Sequence, residues 1–172
     1  MVRAARPTAL VALAAAALGL VASCRSHDPA RELQVGALQT YWIVDSPQQG
    51  QNYIAPVVRF RLKNVSKQAL SSVQARARFP ASNQEDVWGS IQEQVSTWRT
   101  PIKPGDDRLV TVRSAGRYHS TADPPDILRS PAFKDPAVEV WVRIGASSWA
   151  MLAQGKVERR IGAPDLKPLG TP

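Results

Sequence analysis

One thiol and two imidazoles are the side chains of this 172-residue chain best suited to nucleophilic, acid-base or metal chemistry. Cys24 directly follows Val21-Ala22-Ser23, at the end of an apolar run from Ala9 to Ala22. A spanning helix needs about 20 apolar residues, and this run falls short of that. His27 lies just beyond the thiol, in a polar stretch. His119 sits in Arg117-Tyr118-His119-Ser120-Thr121-Ala122-Asp123, with a hydroxyl and a carboxylate nearby in sequence. Nucleophilic catalysis needs such groups within hydrogen-bond reach, with a third residue orienting the base. Neighbours along an extended segment point to opposite faces, so His119 and Ser120 do not make that pair. No nucleophile elbow is present, and the sequence names no catalytic residue. No two-histidine spacing suits zinc, and Asp106-Asp107 lacks the series of oxygen ligands that a calcium loop requires. Glycine-rich phosphate loops are absent as well. The expectation is no enzyme, no metal and no cofactor.

Arg3 and Arg6 precede the apolar run, and small residues close it, which are the marks of a secretory signal. Val21-Ala22-Ser23-Cys24 resembles the lipobox of bacterial lipoproteins. That resemblance implies cleavage between Ser23 and Cys24, removal of Met1–Ser23, and acylation of the Cys24 sulfur. Each buried methylene is worth about 0.8 kcal/mol, so several acyl chains make a stable anchor where one myristoyl group does not. Arg25, in place of an aspartate after the lipidated cysteine, implies by the same resemblance an outer membrane, with the protein facing the periplasm. An ordinary signal-peptidase cut and a retained span are the competing readings of this segment.

Loss of Arg3 and Arg6, the charged residues of the signal, lowers the formal charge from +8 to +6. Export removes nucleic acid from consideration despite the basic pI. With the single cysteine acylated, no disulfide forms within the chain, and stability rests on a hydrophobic core. Arg59, Arg61 and Lys63 alternate with Val58, Phe60 and Leu62. Arg76 and Arg78 alternate with Ala75, Ala77 and Phe79. If these two segments pair, five cations share one face, and like charges opposite one another are destabilising. Glu85, Asp86, Glu93 or Glu139, or an external anion, would have to offset them. The face is a candidate docking surface for lipid head groups, anionic polysaccharide or an acidic protein.

The elements that position these residues read as short strands. Arg25–Arg31 is a polar tether, and residues 32–163 form the domain. Leu33–Val44 is a strand with a slip at Gly36, which suggests a bulge. Asp45–Asn52 reads as a loop, and Asn64–Gln68 as a turn. The Asn64-Val65-Ser66 sequon belongs to that turn. Strict apolar–polar alternation over 58–63 and 73–79 marks sheets with one dry face and one wet face. Asp86–Trp98 is a strand or bent ribbon. Pro104-Gly105 suits a type II turn, in which glycine takes the positive φ. Arg108–Arg113, Ala137–Ile144 and Ser147–Ile161 are further strands, and Gly155 interrupts the last. Ala115–Pro136 is irregular, with a helical turn at Pro125–Arg129, and residues 164–172 are a tail. Trp42, Trp88, Trp98 and Phe60 are core or rim aromatics. Fourteen prolines without a period argue against a helical bundle. The expected fold is all-β, an antiparallel immunoglobulin-like sandwich.

The segment Phe60–Phe79, with Asn64-Val65-Ser66-Lys67 between its alternating runs, looks like the second and third strands of small bacterial immunoglobulin-like domains of the FxLYD type. The likeness spans Val57–Val112 and includes Pro104-Gly105 before another strand. It implies a fold and an envelope location, and it carries over no catalytic residue. The function expected is therefore a lipid-anchored, non-catalytic binding or structural module with a membrane, protein or anionic partner. A lipid-anchored hydrolase using His119 and an accessory subunit of a larger envelope complex are the alternatives.

Overall fold

The computed structural model describes residues 27–80, 87–89 and 92–163. The signal segment 1–23, the cleavage residues Ser23 and Cys24, Glu85, Asp86 and the tail 164–172 lie outside the described residues. Among the described residues the elements follow in order: α1 (Pro29–Glu32), β1 (Leu33–Gln48), β2 (Gln51–Asn64), β3 (Val73–Pro80), β4 (Val87–Gly89), β5 (Glu93–Gln94), β6 (Asp107–Arg113), β7 (Tyr118–Ser120), α2 (Pro124–Arg129), β8 (Ala137–Ile144) and β9 (Ala150–Lys156). One sheet is ordered β1-β2-β6, with β7 also pairing with β2. The other is ordered β4-β3-β8-β9, with β5 also pairing with β3. All strand pairs are antiparallel. This is an all-β sandwich, and its order follows the immunoglobulin plan, in which the first, second and fifth strands face the third, sixth and seventh.

The alternation in sequence is what builds the two layers. Val58, Phe60 and Leu62 of β2 and Val110 and Val112 of β6 turn inward from one sheet. Val73, Ala75, Ala77 and Phe79 of β3 meet them from the other, with Val138, Val140, Val142 and Ile144 of β8. All are buried. Trp42 is fully buried and stands edge-on to Phe133, with ring centroids 5.2 Å apart. The chain returns to cover the free edge of β1 there: Trp42 N donates to Arg160 O at 2.7 Å, and Gly162 N donates to Trp42 O at 2.9 Å. Covering an edge in this way removes a template for unwanted strand pairing.

Several expectations need correction. β2 and β3 lie in different sheets and do not pair; β3 pairs with β8, β4 and β5. Asp45–Asn52 is not a loop but the tip of a long hairpin, turned at Gln49 (φ 53°) and Gly50 (φ 73°). Two successive positive φ values make the two-residue turn whose twist matches the flanking strands. The bulge near Gly36 is present, with register slipping between Gly36 and Gln39, but Ala37 takes the positive φ of 49°. In the last hairpin the slip falls at Val140/Trp141 rather than at Gly155. The stretch read as tether joins the body by His27: Asp28 caps α1 by accepting from Ala30 N, and Pro29 is buried.

The turn after β2 is held by a buried amide. Asn64 is fully buried. Its Nδ2 donates to Gln68 O at 2.6 Å and Ile102 O at 2.8 Å. Its Oδ1 accepts from Ser66 N and Ser66 Oγ at 2.9 and 2.8 Å. Its backbone N donates to Asp106 O, and its carbonyl accepts from Gly105 N, both at 2.9 Å. A sequon asparagine so engaged is a structural amide, with no free nitrogen for a sugar. Asn64→Asp removes both donated bonds and sets a carboxylate oxygen against two carbonyls. Each buried group left unpaired costs about 1–3 kcal/mol. We expect this variant to lose at least about 2 kcal/mol in urea unfolding at unchanged m-value; a loss below about 0.5 kcal/mol would contradict the role.

Candidate functional site

The five cations singled out in the sequence occupy the two opposite outer faces of the sandwich. Arg59, Arg61 and Lys63 are on β2, facing away from the core in the first sheet; Arg76 and Arg78 are on β3, facing away in the second. A single five-cation face is therefore not formed, because the turn at Asn64–Ser72 carries the chain across the core instead of folding it back beside β2. The like-charge conflict expected from the sequence does not arise.

On the first sheet, Arg61 Nη1 lies 3.0 Å from Asp107 Oδ1 and 3.2 Å from its Oδ2. The Arg59 guanidinium is 5.9 Å from the centre of the buried Tyr41 ring. Lys63 is exposed opposite Asp107. Further along, Arg113 and Arg117 both reach Asp45. Each arginine named on this face meets an acid or an aromatic ring, and Asp107 is a counter-ion that sequence inspection overlooked.

The second sheet presents a more ordered surface. Three cross-strand pairs stand side by side between β3 and β8: Gln74 opposite Arg143, Arg76 opposite Trp141, and Arg78 opposite Glu139. Arg143 Nε donates to Gln74 Oε1. Arg78 is 3.5 Å from Glu139, which also accepts from Trp141 Nε1 at 3.0 Å. Trp149, in the turn after β8, receives two guanidiniums. Arg76 lies 4.3 Å and Arg143 4.8 Å from its ring centre. The Arg76–Trp141 separation is 5.9 Å. Two cations held against one indole, with Glu139 serving Arg78, leave this surface net positive and aromatic. Partly exposed salt bridges such as Arg78–Glu139 add at most about 1 kcal/mol, and cation–π contacts at such sites add a similar amount. The cluster therefore organises the surface more than it stabilises the fold. Trp141, Trp149 and Arg143 were not singled out as a site from the sequence. The legible signal was the outward phase of Glu139, Trp141 and Arg143 between the inward valines.

Beside Trp149, a cleft of about 570 Å³ runs between His27-Asp28-Pro29 and the β8–β9 turn, Gly145–Ala150. His27 Nδ1 is 2.9 Å from Glu32 Oε2 on its floor side. The other imidazole is far from any catalytic arrangement. His119 pairs with Tyr53 across β7 and β2, and the two rings are 5.7 Å apart. Ser120 Oγ accepts from Ala122 N at 3.1 Å, closing a local turn. Asp123 begins α2 without a side-chain cap. Among the described residues, no three His, Cys, Asp or Glu side chains converge on a metal-sized site.

The four aromatics read as core or rim divide. Trp42 and Phe60 are fully buried, and Trp88 is partly buried against the core. Gly116 sits so close to Trp88 that an added Cβ would lie 2.5 Å from the indole, so only glycine fits there. Trp98 is 75% exposed and carries the Arg99 guanidinium 4.8 Å from its ring centre.

No family model matches the chain, and no curated protein matches it. Among solved structures, the chain is similar to Northeast Structural Genomics Consortium target SoR45. The identity is 12%, over 84% of this chain and 96% of that one, with a TM-score of 0.44. It also aligns with a GH20 exo-β-N-acetylglucosaminidase from Vibrio harveyi at 11% identity and a TM-score of 0.24, over 77% of this chain and 20% of the enzyme.

Proposed function

We propose that this protein is a lipoprotein of the bacterial cell envelope whose immunoglobulin-like sandwich is a non-catalytic binding or structural module. The observation that carries the reading is the position of the single thiol. Cys24 ends a basic-then-apolar leader and a lipobox-like string, three positions before His27, which already contacts Glu32 of the folded body. A cysteine so placed has no partner for a disulfide within the chain and a ready use as an acylation site. Arg25 after it favours an outer membrane, with the body in the periplasm. The likeness to FxLYD-type domains fits the same location. His119, tilted against Tyr53, with Ser120 engaged in its own turn, gives the hydrolase alternative little support.

The outer face of β3 and β8 is the docking surface in this reading. Arg76 and Arg143 are held by Trp149 and Gln74 in fixed positions, so less side-chain freedom is lost when an acidic envelope partner binds. Arg59, Arg61 and Lys63 are on the opposite side and belong to a separate, more neutralised surface.

Two measurements test the proposal. In Triton X-114 partition of cell envelopes, wild type should enter the detergent phase, and Cys24→Ala should not accumulate there as a processed, acylated form. Recovery of processed wild type in the aqueous phase would overturn the anchor. For the face, Arg76→Glu with Arg143→Glu should lower affinity for immobilised dextran sulfate by roughly tenfold at low salt, and the difference should shrink as salt is raised. Equal retention of variant and wild type would remove this face as the docking surface.

A further inference from the structure

We propose that the end of the sandwich bearing α1 is a membrane-contact surface, with Trp98 seated in the interface of the bilayer that holds the acylated Cys24. The inference rests on the lipid anchor proposed above and adds an orientation and a contact. Its occupant is that same bilayer.

Chain length sets the first constraint. Two residues, Arg25 and Ser26, lie between Cys24 and His27, which is three steps along the chain. A fully extended chain covers at most about 3.3–3.6 Å per residue, so His27 stays within roughly 11 Å of the acylated sulfur. The body is already folded at that point, since His27 contacts Glu32, and His27–Pro29 face the β8–β9 turn. No long spacer is left to lift the domain away. The opposite end is out of reach, because β1 runs sixteen residues from Leu33 to Gln48. At about 3.3 Å per residue, the Gln49–Gly50 tip lies on the order of 50 Å away.

The second constraint is what this end presents. Val65 N donates to Glu32 O at 3.0 Å, Gly145 N to Ser72 O at 3.0 Å, and Leu70 and Ile102 exchange hydrogen bonds of 2.9 Å. These bonds gather α1, the turn after β2, the β8–β9 turn and the segment leading to β6 at one end. That end carries the most exposed large apolar side chain among the described residues, Trp98 at 75%, together with Val65 at 47%. Trp98 projects from a tight turn closed by Thr97 and Thr100, whose hydroxyls are 2.9 Å apart. The turn is held by its own hydroxyls, and Trp98 stays 75% exposed with only the Arg99 guanidinium against its ring among the described residues. Arg99 lies against the ring, Lys67 and Lys103 are exposed at the same end, and none of the three is in an ion pair among the described residues. Among the described residues, the acids at this end include Asp28, Glu32, Asp106 and Asp107; Asp28 meets Arg31 at 3.3 Å, Glu32 meets His27, and Asp107 meets Arg61. An indole beside Arg and Lys, facing a bilayer, is the combination that settles at the level of the head groups. Basic residues held near an anionic leaflet add to it.

The test uses the full acylated protein in vesicles of phosphatidylethanolamine and phosphatidylglycerol, with plain or brominated acyl chains. Subtracting the spectrum of Trp98→Phe from that of wild type isolates the emission of residue 98. It should be blue-shifted and quenched roughly twofold or more in brominated vesicles. A water-facing probe on Gln49→Cys should be unaffected. The conservative substitution is exposed and leaves the core alone; as a second variant, Arg99→Glu with Lys103→Glu should weaken the quenching. Equal residue-98 emission in plain and brominated vesicles, with Cys24 acylated, overturns the contact and leaves the anchor standing. A chain with unmodified Cys24 that stays out of vesicles overturns both.

Discussion

A single buried amide governs how this sandwich is threaded. Asn64 ends β2 at the point where the chain must leave one sheet and enter the other. Such a crossing strips several backbone groups of ladder partners in a place where water is scarce. The Asn64 side chain satisfies Gln68 and Ile102, takes both the N–H and the hydroxyl of Ser66, and leaves its main chain to Asp106 and Gly105. One residue thus joins the turn after β2 to the segment entering β6. Ser96 does a smaller version of the same task, bonding Leu70 O and Val73 N where β3 begins. These bonds tie together the end of the molecule that carries α1, and the exposed Trp98 turn follows directly from Ser96 there.

Threading also decides the surface chemistry. Had β2 and β3 formed a hairpin, five cations would have shared one face without enough acids beside them. Sent to different sheets, each guanidinium finds its own partner: Asp107 for Arg61, Tyr41 for Arg59, Glu139 for Arg78, and Trp149 for Arg76 and Arg143. The result is two modest surfaces in place of one strong electrostatic patch. The β3–β8 face is the more specific of the two, because Arg76 and Arg143 are held by an indole and an amide, and only Arg78 meets a carboxylate.

Much of the fold was legible in the residues, and the reasons are local. Period-two alternation located the inward residues of β2, β3 and β8, whereas in β6 the run Leu109-Val110 blurs it and Leu109 is exposed. The Pro104-Gly105 turn is as expected, with Gly105 at φ 82°. The helical turn near Pro125 is present as α2. What was not legible depends on long-range choice. Alternation says which face of a strand is wet, but not which strand lies beside it, so the β2–β3 pairing was misjudged. The hairpin tip at Gln49-Gly50 was hidden by a loop-like composition that the strands tolerate at their exposed ends. The arginine-bracketed Trp149 depends on a turn residue meeting two different strands, which no spacing in the chain announces. Trp98 reads as core or rim from the sequence, and its exposure follows only from the position of its turn beyond the core.

The account stands on a thiol becoming the membrane attachment of an otherwise ordinary sandwich. Mass spectrometry of the N-terminal peptide from envelope-derived protein tests this most directly. The expected product begins at Cys24 and carries a diacylglycerol thioether on its sulfur. A mature chain whose Cys24 retains a free thiol, or one that still includes Met1–Ser23, would contradict it.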